Sequence, residues 1–169
     1  MEAITDAYGV AVYKERFNFC SAHFLLFADG SREDLHGHNY RAWVELEGEL
    51  GDGDIVLDFT VLKPIVSEAC NELDHKTLIA AASPYLQLED LGESLWVRHT
   101  GGSFCFPKRD VLLLPLRNTS TELLASYLHE KVAHRLRQIV PNAQFTRFRV
   151  SVEESSGQCG FFERRRKLA

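Results

Sequence analysis

Three histidines carry the first chemical signal in this chain: His23, and the pair His36 and His38 flanking Gly37. On a β-strand, residues i and i+2 point to the same side, so His36 and His38 can meet one ion. His23 ends an earlier strand-like run, and an antiparallel partner would bring that end beside the start of the next strand. Three neutral imidazoles around one point suit a divalent ion, with zinc the best match. Three protein ligands leave a position open for water or substrate, which is the catalytic arrangement. The ion would act there as a Lewis acid on a substrate oxygen. Gly37 permits close backbone approach between the two histidines. The structural alternative is a pair of histidines satisfied by hydrogen bonds, and the third histidine at the facing strand end argues against it. His99, His129 and His134 lack such spacing and read as surface or packing residues.

The elements that must position these side chains follow from periodicity. Residues 10–23 alternate, with Phe17, Phe19, Ser21 and His23 on one face of a strand. Residues 24–35 form a loop long enough to suspect a function. Residues 36–48 read as a second strand, with His38, Tyr40, Ala42, Val44 and Leu46 on one face. Residues 55–57 suggest a short strand. Asp58 is a plausible N-cap for a helix whose stripe is Leu62, Ile65, Val66, Ala69 and Leu73. Residues 80–117 read as an insertion, with a hairpin over residues 96–106 and a short strand over 111–116. Thr119 and Glu122 have capping-box spacing and open a second helix, whose stripe includes Leu124, Leu128, Val132, Leu136 and Ile139. A last strand runs from Phe145 to Glu154. Strands with segregated helices predict an α+β fold with a mainly antiparallel sheet in one domain, residues 1–169.

Bulk properties narrow the function. The chain has 169 residues and a formal net charge of -5, which argues against general nucleic-acid binding. No apolar run reaches the roughly 18 residues that span a bilayer. The N-terminus lacks a secretory pattern, so a cytoplasmic location is expected. Cys20, Cys70, Cys105 and Cys159 are dispersed and read as reduced packing thiols. The basic cluster Arg164, Arg165, Arg166 and Lys167 reads as a solvated, frayed tail.

Several ordered motifs together resemble the 6-pyruvoyl-tetrahydropterin synthase and QueD (6-carboxy-tetrahydropterin synthase) family. They are Phe19-Cys20-Ser21-Ala22-His23, Leu35-His36-Gly37-His38-Asn39-Tyr40, Asp58-Phe59, Leu73-Asp74-His75, Thr119-Ser120-Thr121-Glu122 and Val150-Ser151-Val152-Glu153-Glu154. The resemblance implies a tunnelling fold, two helices on one face of the sheet, that trimerises into a barrel, often as a hexamer. It implies zinc on His23, His36 and His38, and a pterin substrate bound at a subunit interface. Glu154 matches a glutamate that grips the pterin, and its place on an apolar strand face fits, because a buried carboxylate needs donors. Glu122 matches a second glutamate near the pterin, with Ser120 and Thr121 beside it. A capping box alone would also explain Glu122. Asp74 and His75 match an Asp–His proton-transfer pair, in which a carboxylate orients an imidazole.

One departure stands out. Many members of that family carry a catalytic cysteine shortly before the His-Gly-His, and residues 24–35 contain none. Glu33 stands there instead, with Asp34 as competitor. The resemblance is then closest to a variant in which glutamate replaces the cysteine and cleaves the C1′–C2′ bond of dihydroneopterin to give 6-hydroxymethyl-7,8-dihydropterin. The rival expectations are 6-carboxy- or 6-pyruvoyl-tetrahydropterin synthesis, and a non-catalytic pterin-binding homologue.

Overall fold

The computed structural model describes residues 6–166, with the backbone alone at residues 15 and 16. Alternation builds the central hairpin. In β1 (Tyr8–His23), Phe17, Phe19, Ser21 and His23 are buried while Asn18 and Cys20 face out. β2 (His36–Gly48) pairs antiparallel with it, setting His23 opposite His36 and Ser21 opposite His38. A bulge in β1 lets the step from Tyr13 to Asn18 face only the step from Trp43 to Arg41. The bulge switches parity, so Val10 and Val12 face the core before it and Phe17 and Phe19 after it.

α1 (Phe59–Leu73) starts where Asp58 Oδ1 accepts the Thr60 N–H at 2.7 Å. β3 (Lys76–Ala80) follows the helix directly. β4 (Gln87–Asp90), β5 (Ser94–His99) and β6 (Gly102–Pro107) form a separate three-stranded antiparallel sheet. After β7 (Val111–Leu114) comes α2 (Thr121–Ile139), then β8 (Phe145–Ser155) and β9 (Gln158–Arg165). The main sheet has the order β7-β3-β1-β2-β8-β9. The pairings β1–β2, β2–β8 and β8–β9 are antiparallel, whereas β3 and β7 add a parallel edge.

Both helices cover one face of that sheet. Leu62, Ile65, Val66, Leu124, Leu128 and Val132 bury against Tyr40, Val44, Leu46, Val150 and Val152 in one core. The other face is polar across β2, β8 and β9. There Arg147 bonds both Glu47 and Glu163 at 2.6 Å, and Arg149 stands 3.7 Å from Glu45. A sheet with one apolar and one charged face is what alternation over three neighbouring strands produces. These features make an α+β tunnelling fold.

The smaller sheet has a definite seat. Its Leu95 and Val97 pack with Phe24, Leu26 and Ile79 in a second apolar cluster. The insertion is thus a platform under the loop that leads to His36.

Several expectations need correction. Residues 55–57 form no strand. β3 and β4 were not anticipated, and β8 is not the last strand. The basic cluster is not a frayed tail: Arg164 and Arg165 lie in β9, paired to Glu130 and Glu163. Lys167 lies outside the described residues. Thr119 is not a capping residue, because its hydroxyl donates to the Phe24 carbonyl at 2.9 Å and Ser120 takes the N-cap position. No helix among the described residues is long and apolar enough to cross a membrane.

Candidate metal centre

The hairpin register brings the three imidazoles together. Ring centroids of His23, His36 and His38 lie 4.7–5.4 Å apart. Gly37 makes this possible, since a Cβ there would stand 3.0 Å from the Ser21 carbonyl oxygen. Glu154, near the end of β8, completes the group. One donor atom from each of His23, His36, His38 and Glu154 falls within 4.8 Å of the others.

Backbone carbonyls orient the rings. His23 Nδ1 lies 3.1 Å from the Thr119 carbonyl and His36 Nδ1 lies 2.7 Å from the Asp34 carbonyl. A ring nitrogen facing a carbonyl must be the N–H donor, so each Nε2 is left with a lone pair. His23 Nε2 and His38 Nε2 are buried and lack any hydrogen-bond partner. They stand 3.1 and 3.2 Å from Glu154 Oε1. The His23 lone pair facing a carboxylate oxygen repels it unless a proton or cation lies between them. Burial, the first cause, holds the His23 pKa below its ordinary value even against the attraction of Glu154. Three imidazole nitrogens and one carboxylate oxygen, with two rings held through their far nitrogens, fit a divalent cation such as zinc.

Glu154 Oε1 also accepts the Tyr40 hydroxyl at 3.4 Å. Burial and then the Glu154 charge raise the Tyr40 pKa, which keeps it a donor.

The loop before His36 separates the two acidic competitors. Glu33 Oε2 lies 3.8 Å from His36 Nε2. The Asp34 side chain is fully in solvent, 3.7 Å from Arg32. Glu33 is held through its backbone: its N–H donates to the Leu25 carbonyl at 2.9 Å, and Arg32 Nη1 donates to its carbonyl at 2.7 Å. Arg32 is itself held by the small sheet. Its Nε donates to His99 Nε2 at 3.2 Å, and its guanidinium lies 4.8 Å from the Phe104 ring centroid.

Ser120, Thr121 and Glu122 open α2 immediately after Thr119, which touches His23. The Glu122 carboxyl is held below its usual pKa by its own backbone N–H and by the Ser120 and Thr121 hydroxyls. Asp74 and His75 form a 2.8 Å pair, with His75 at φ 57° and largely exposed. Asp74 Oδ1 accepts the Cys20 N–H at 2.7 Å, so the pair belongs to the outward side of β1 and makes no described contact with the histidine cluster.

Sequence reasoning missed Arg32 and Asn118, and it read His99 as a surface or packing residue and Thr119 as a cap. Asn118 clamps Leu26 through both backbone groups, at 3.0 and 2.9 Å, and ties the loop to α2. Asn118 and Thr119 stand at a helix start, where such residues usually serve only as caps.

Comparison with known proteins places this architecture. The sequence model described as 6-pyruvoyl tetrahydropterin synthase matches residues 11–165. The chain belongs to this family of pterin-modifying enzymes. A relative from Methanocaldococcus jannaschii, provisionally named a 6-carboxy-5,6,7,8-tetrahydropterin synthase, is 35% identical over 83% of this chain and 85% of its own. A Pyrococcus furiosus protein named dihydroneopterin monophosphate aldolase is 40% identical over 37% of this chain and 53% of its own. The structure of Plasmodium falciparum 6-pyruvoyl tetrahydropterin synthase superposes with a TM-score of 0.89 at 29% identity, covering 95% of this chain and 99% of that one. The Plasmodium vivax enzyme, at 28% identity and TM-score 0.88 over the same shares, was solved with a glutamate described as a catalytic residue replaced by alanine and by cysteine.

Proposed function

We propose that this protein is a zinc-dependent lyase that cleaves the C1′–C2′ bond of a phosphorylated 7,8-dihydroneopterin, giving 6-hydroxymethyl-7,8-dihydropterin. The observation that carries this reading is the placement of Glu33 beside the histidine cluster, in a loop that has no cysteine. His23, His36 and His38 would hold the ion. Zinc there would polarise a side-chain oxygen of the substrate and stabilise negative charge on it. Glu33 takes the proton of the C2′ hydroxyl. As C2′–O becomes a carbonyl, the C1′–C2′ bond breaks and its electron pair is left on C1′, delocalised into the electron-poor pterin. A proton then returns to C1′.

Glu154 has a second oxygen outside the contacts described above, free to accept N–H groups of the pterin. Ser120, Thr121 and Glu122 would line the same substrate. Asp74 and His75 are the proton-transfer pair in this reading. They lie apart from the cluster within one chain, so a neighbouring copy would bring them to it. Assembly as a trimer or hexamer suits the open outer edge of β9 and the first half of β1, which β3 leaves unpaired. Support for the glutamate chemistry comes from the catalytic glutamate named for the Plasmodium vivax enzyme and from the aldolase name of the Pyrococcus furiosus relative. The Methanocaldococcus relative, matched over more of the chain, favours 6-carboxy-tetrahydropterin synthesis as the second reading.

The test is incubation of the zinc-loaded protein with dihydroneopterin triphosphate and monophosphate, followed by chromatography of the pterins. The expected product is 6-hydroxymethyl-7,8-dihydropterin. A 6-carboxy or 6-pyruvoyl product without it overturns the assignment, and an inert protein that binds pterin points to the non-catalytic homologue. Glu33→Gln should lower turnover by about 100-fold or more, the usual worth of a general base, with zinc content unchanged. Unaltered turnover excludes Glu33 as the base.

A further inference from the structure

At the other end of the main sheet, α2 and the ends of β8 and β9 enclose a cavity of about 230 Å³. It shares no residue with the histidine cluster. Phe145 and Phe148, on its wall, pair with Gly48 and Leu46 at the opposite end of β2 from His36. Along a strand rising about 3.3 Å per residue, the six residues from Phe148 to Glu154 and the eight from Leu46 to His38 place the two sites roughly 20–26 Å apart.

The composition of the cavity is unusual for a chain of net charge -5. Four arginines line it, Arg137, Arg164, Arg165 and Arg166, and no carboxylate does. Arg164 and Arg165 are paired to Glu130 and Glu163, but Arg137 and Arg166 have no carboxylate partner among the described residues. The wall between them is apolar, from Leu136, Phe145 and Phe148.

His129 lines the same cavity and is the second, independent observation. It is 1% exposed, and neither ring nitrogen has a hydrogen-bond partner. The nearest carboxylate oxygen, on Glu130, is 3.9 Å from Nδ1, beyond hydrogen-bond reach. Buried polar groups are almost always paired, and His129, in the wall of this cavity, is left unpaired. Burial and the Arg164 charge hold His129 neutral, so it offers one donor and one acceptor. The Phe148 and Phe162 rings flank it, with centroids 4.1 and 4.9 Å away.

An apolar wall with a neutral imidazole calls for a flat ring that has polar edge atoms. A rim of arginines calls for a phosphate. The cavity is smaller than the usual 300–1,000 Å³ of a drug-sized pocket, so a ring fills it and the phosphate stays at the mouth. We infer that this cavity is a second ligand site, remote from the metal centre, for a small phosphorylated heteroaromatic molecule.

The test is calorimetric titration of the zinc-loaded full chain with AMP and with pyridoxine 5′-phosphate. Adenosine and inorganic phosphate serve as the separated halves. At least one phosphorylated ring should bind at one per chain, with both halves at least about tenfold weaker. Arg137→Ala combined with Arg166→Ala alters two exposed side chains and should weaken binding by about tenfold or more without changing pterin turnover. His129→Phe should weaken it while keeping the ring volume. No saturable binding of either probe at millimolar concentration overturns the inference. So does binding that survives both sets of substitutions, or binding abolished by His36→Ala, which would belong to the metal centre. Because the readout is binding, failure here leaves the proposed pterin chemistry untouched.

Discussion

Replacing His129 by phenylalanine should remove a large part of the protein's sensitivity to acid. Burial, with the Arg164 charge second, pushes the His129 pKa from 6.5 down to about 4. In the unfolded chain the ring titrates near 6.5. Between pH 6.5 and about 4, the unfolded state therefore takes up a proton that the folded state refuses. Stability falls with pH across that window and is unaffected above it. Each pH unit of the gap is worth about 1.4 kcal/mol, so the loss approaches about 3 kcal/mol by pH 4. Phenylalanine cannot take the proton and keeps the ring against Phe148. The assay is urea unfolding of both proteins at pH 7.5, 6.5, 5.5 and 4.5 and at one protein concentration. Subtracting the variant from the parent cancels what every other group contributes, including the histidines of the metal centre. The difference should be constant above pH 6.5 and move in the variant's favour by about 1.4 kcal/mol per unit below it. A flat difference over the whole range would refute the reasoning, because it would mean that the ring is protonated as readily in the folded protein as outside it.

Two other perturbations probe the loop and the helix start. His99→Ala deletes the acceptor of the Arg32 Nε–H, so the Arg32 bond to the Glu33 carbonyl loosens while the Leu25 bond remains. Turnover should drop by about tenfold with KM nearly unchanged and zinc retained, the pattern of a lost transition-state interaction. A variant that is merely less stable, with normal kcat, would show that the platform only supports folding. Gly160→Ala would set a Cβ 2.3 Å from Thr121 Oγ1 and 2.8 Å from the Glu122 N–H, so β9 and α2 must separate. Overpacking of this kind costs about 1–3 kcal/mol, read by thermal unfolding, and a melting temperature equal to the parent's would contradict it.

The readable parts of the fold are those set by local periodicity. β1, β2, β8 and both helices carry clear stripes, and Asp58 caps α1 through a bond two residues away. β9 escaped because it ends in a run of arginines, and the partner of Arg164, Glu130, stands on α2 34 residues earlier, invisible in a linear scan. The Thr119 capping box failed for a similar reason, since the hydroxyl is claimed by Phe24, 95 residues earlier in the chain. Parity placed His23, His36 and His38 on one side of two strands, and the register then juxtaposed them. Parity says nothing inside a loop, so Glu33 and Asp34 could not be told apart. What separates them is the Arg32 contact with His99 and Phe104, which belongs to a sheet inserted some 65 residues later. Glu154 was legible as a carboxylate on an apolar face, but its approach to two imidazoles needs β8 docked on β2.

The order of residues in the histidine cluster also has a consequence for the growing chain. Its three nitrogen donors come from one hairpin, joined by the loop of residues 24–35, and local contacts of this kind close early. Its carboxylate arrives only when β8 docks, more than a hundred residues later in synthesis. A nascent chain therefore displays the imidazoles without the negative charge that completes the set. A cation captured at that stage would be held loosely and could exchange. An ion held by the histidines would be closed in last, by the strand that carries Glu154.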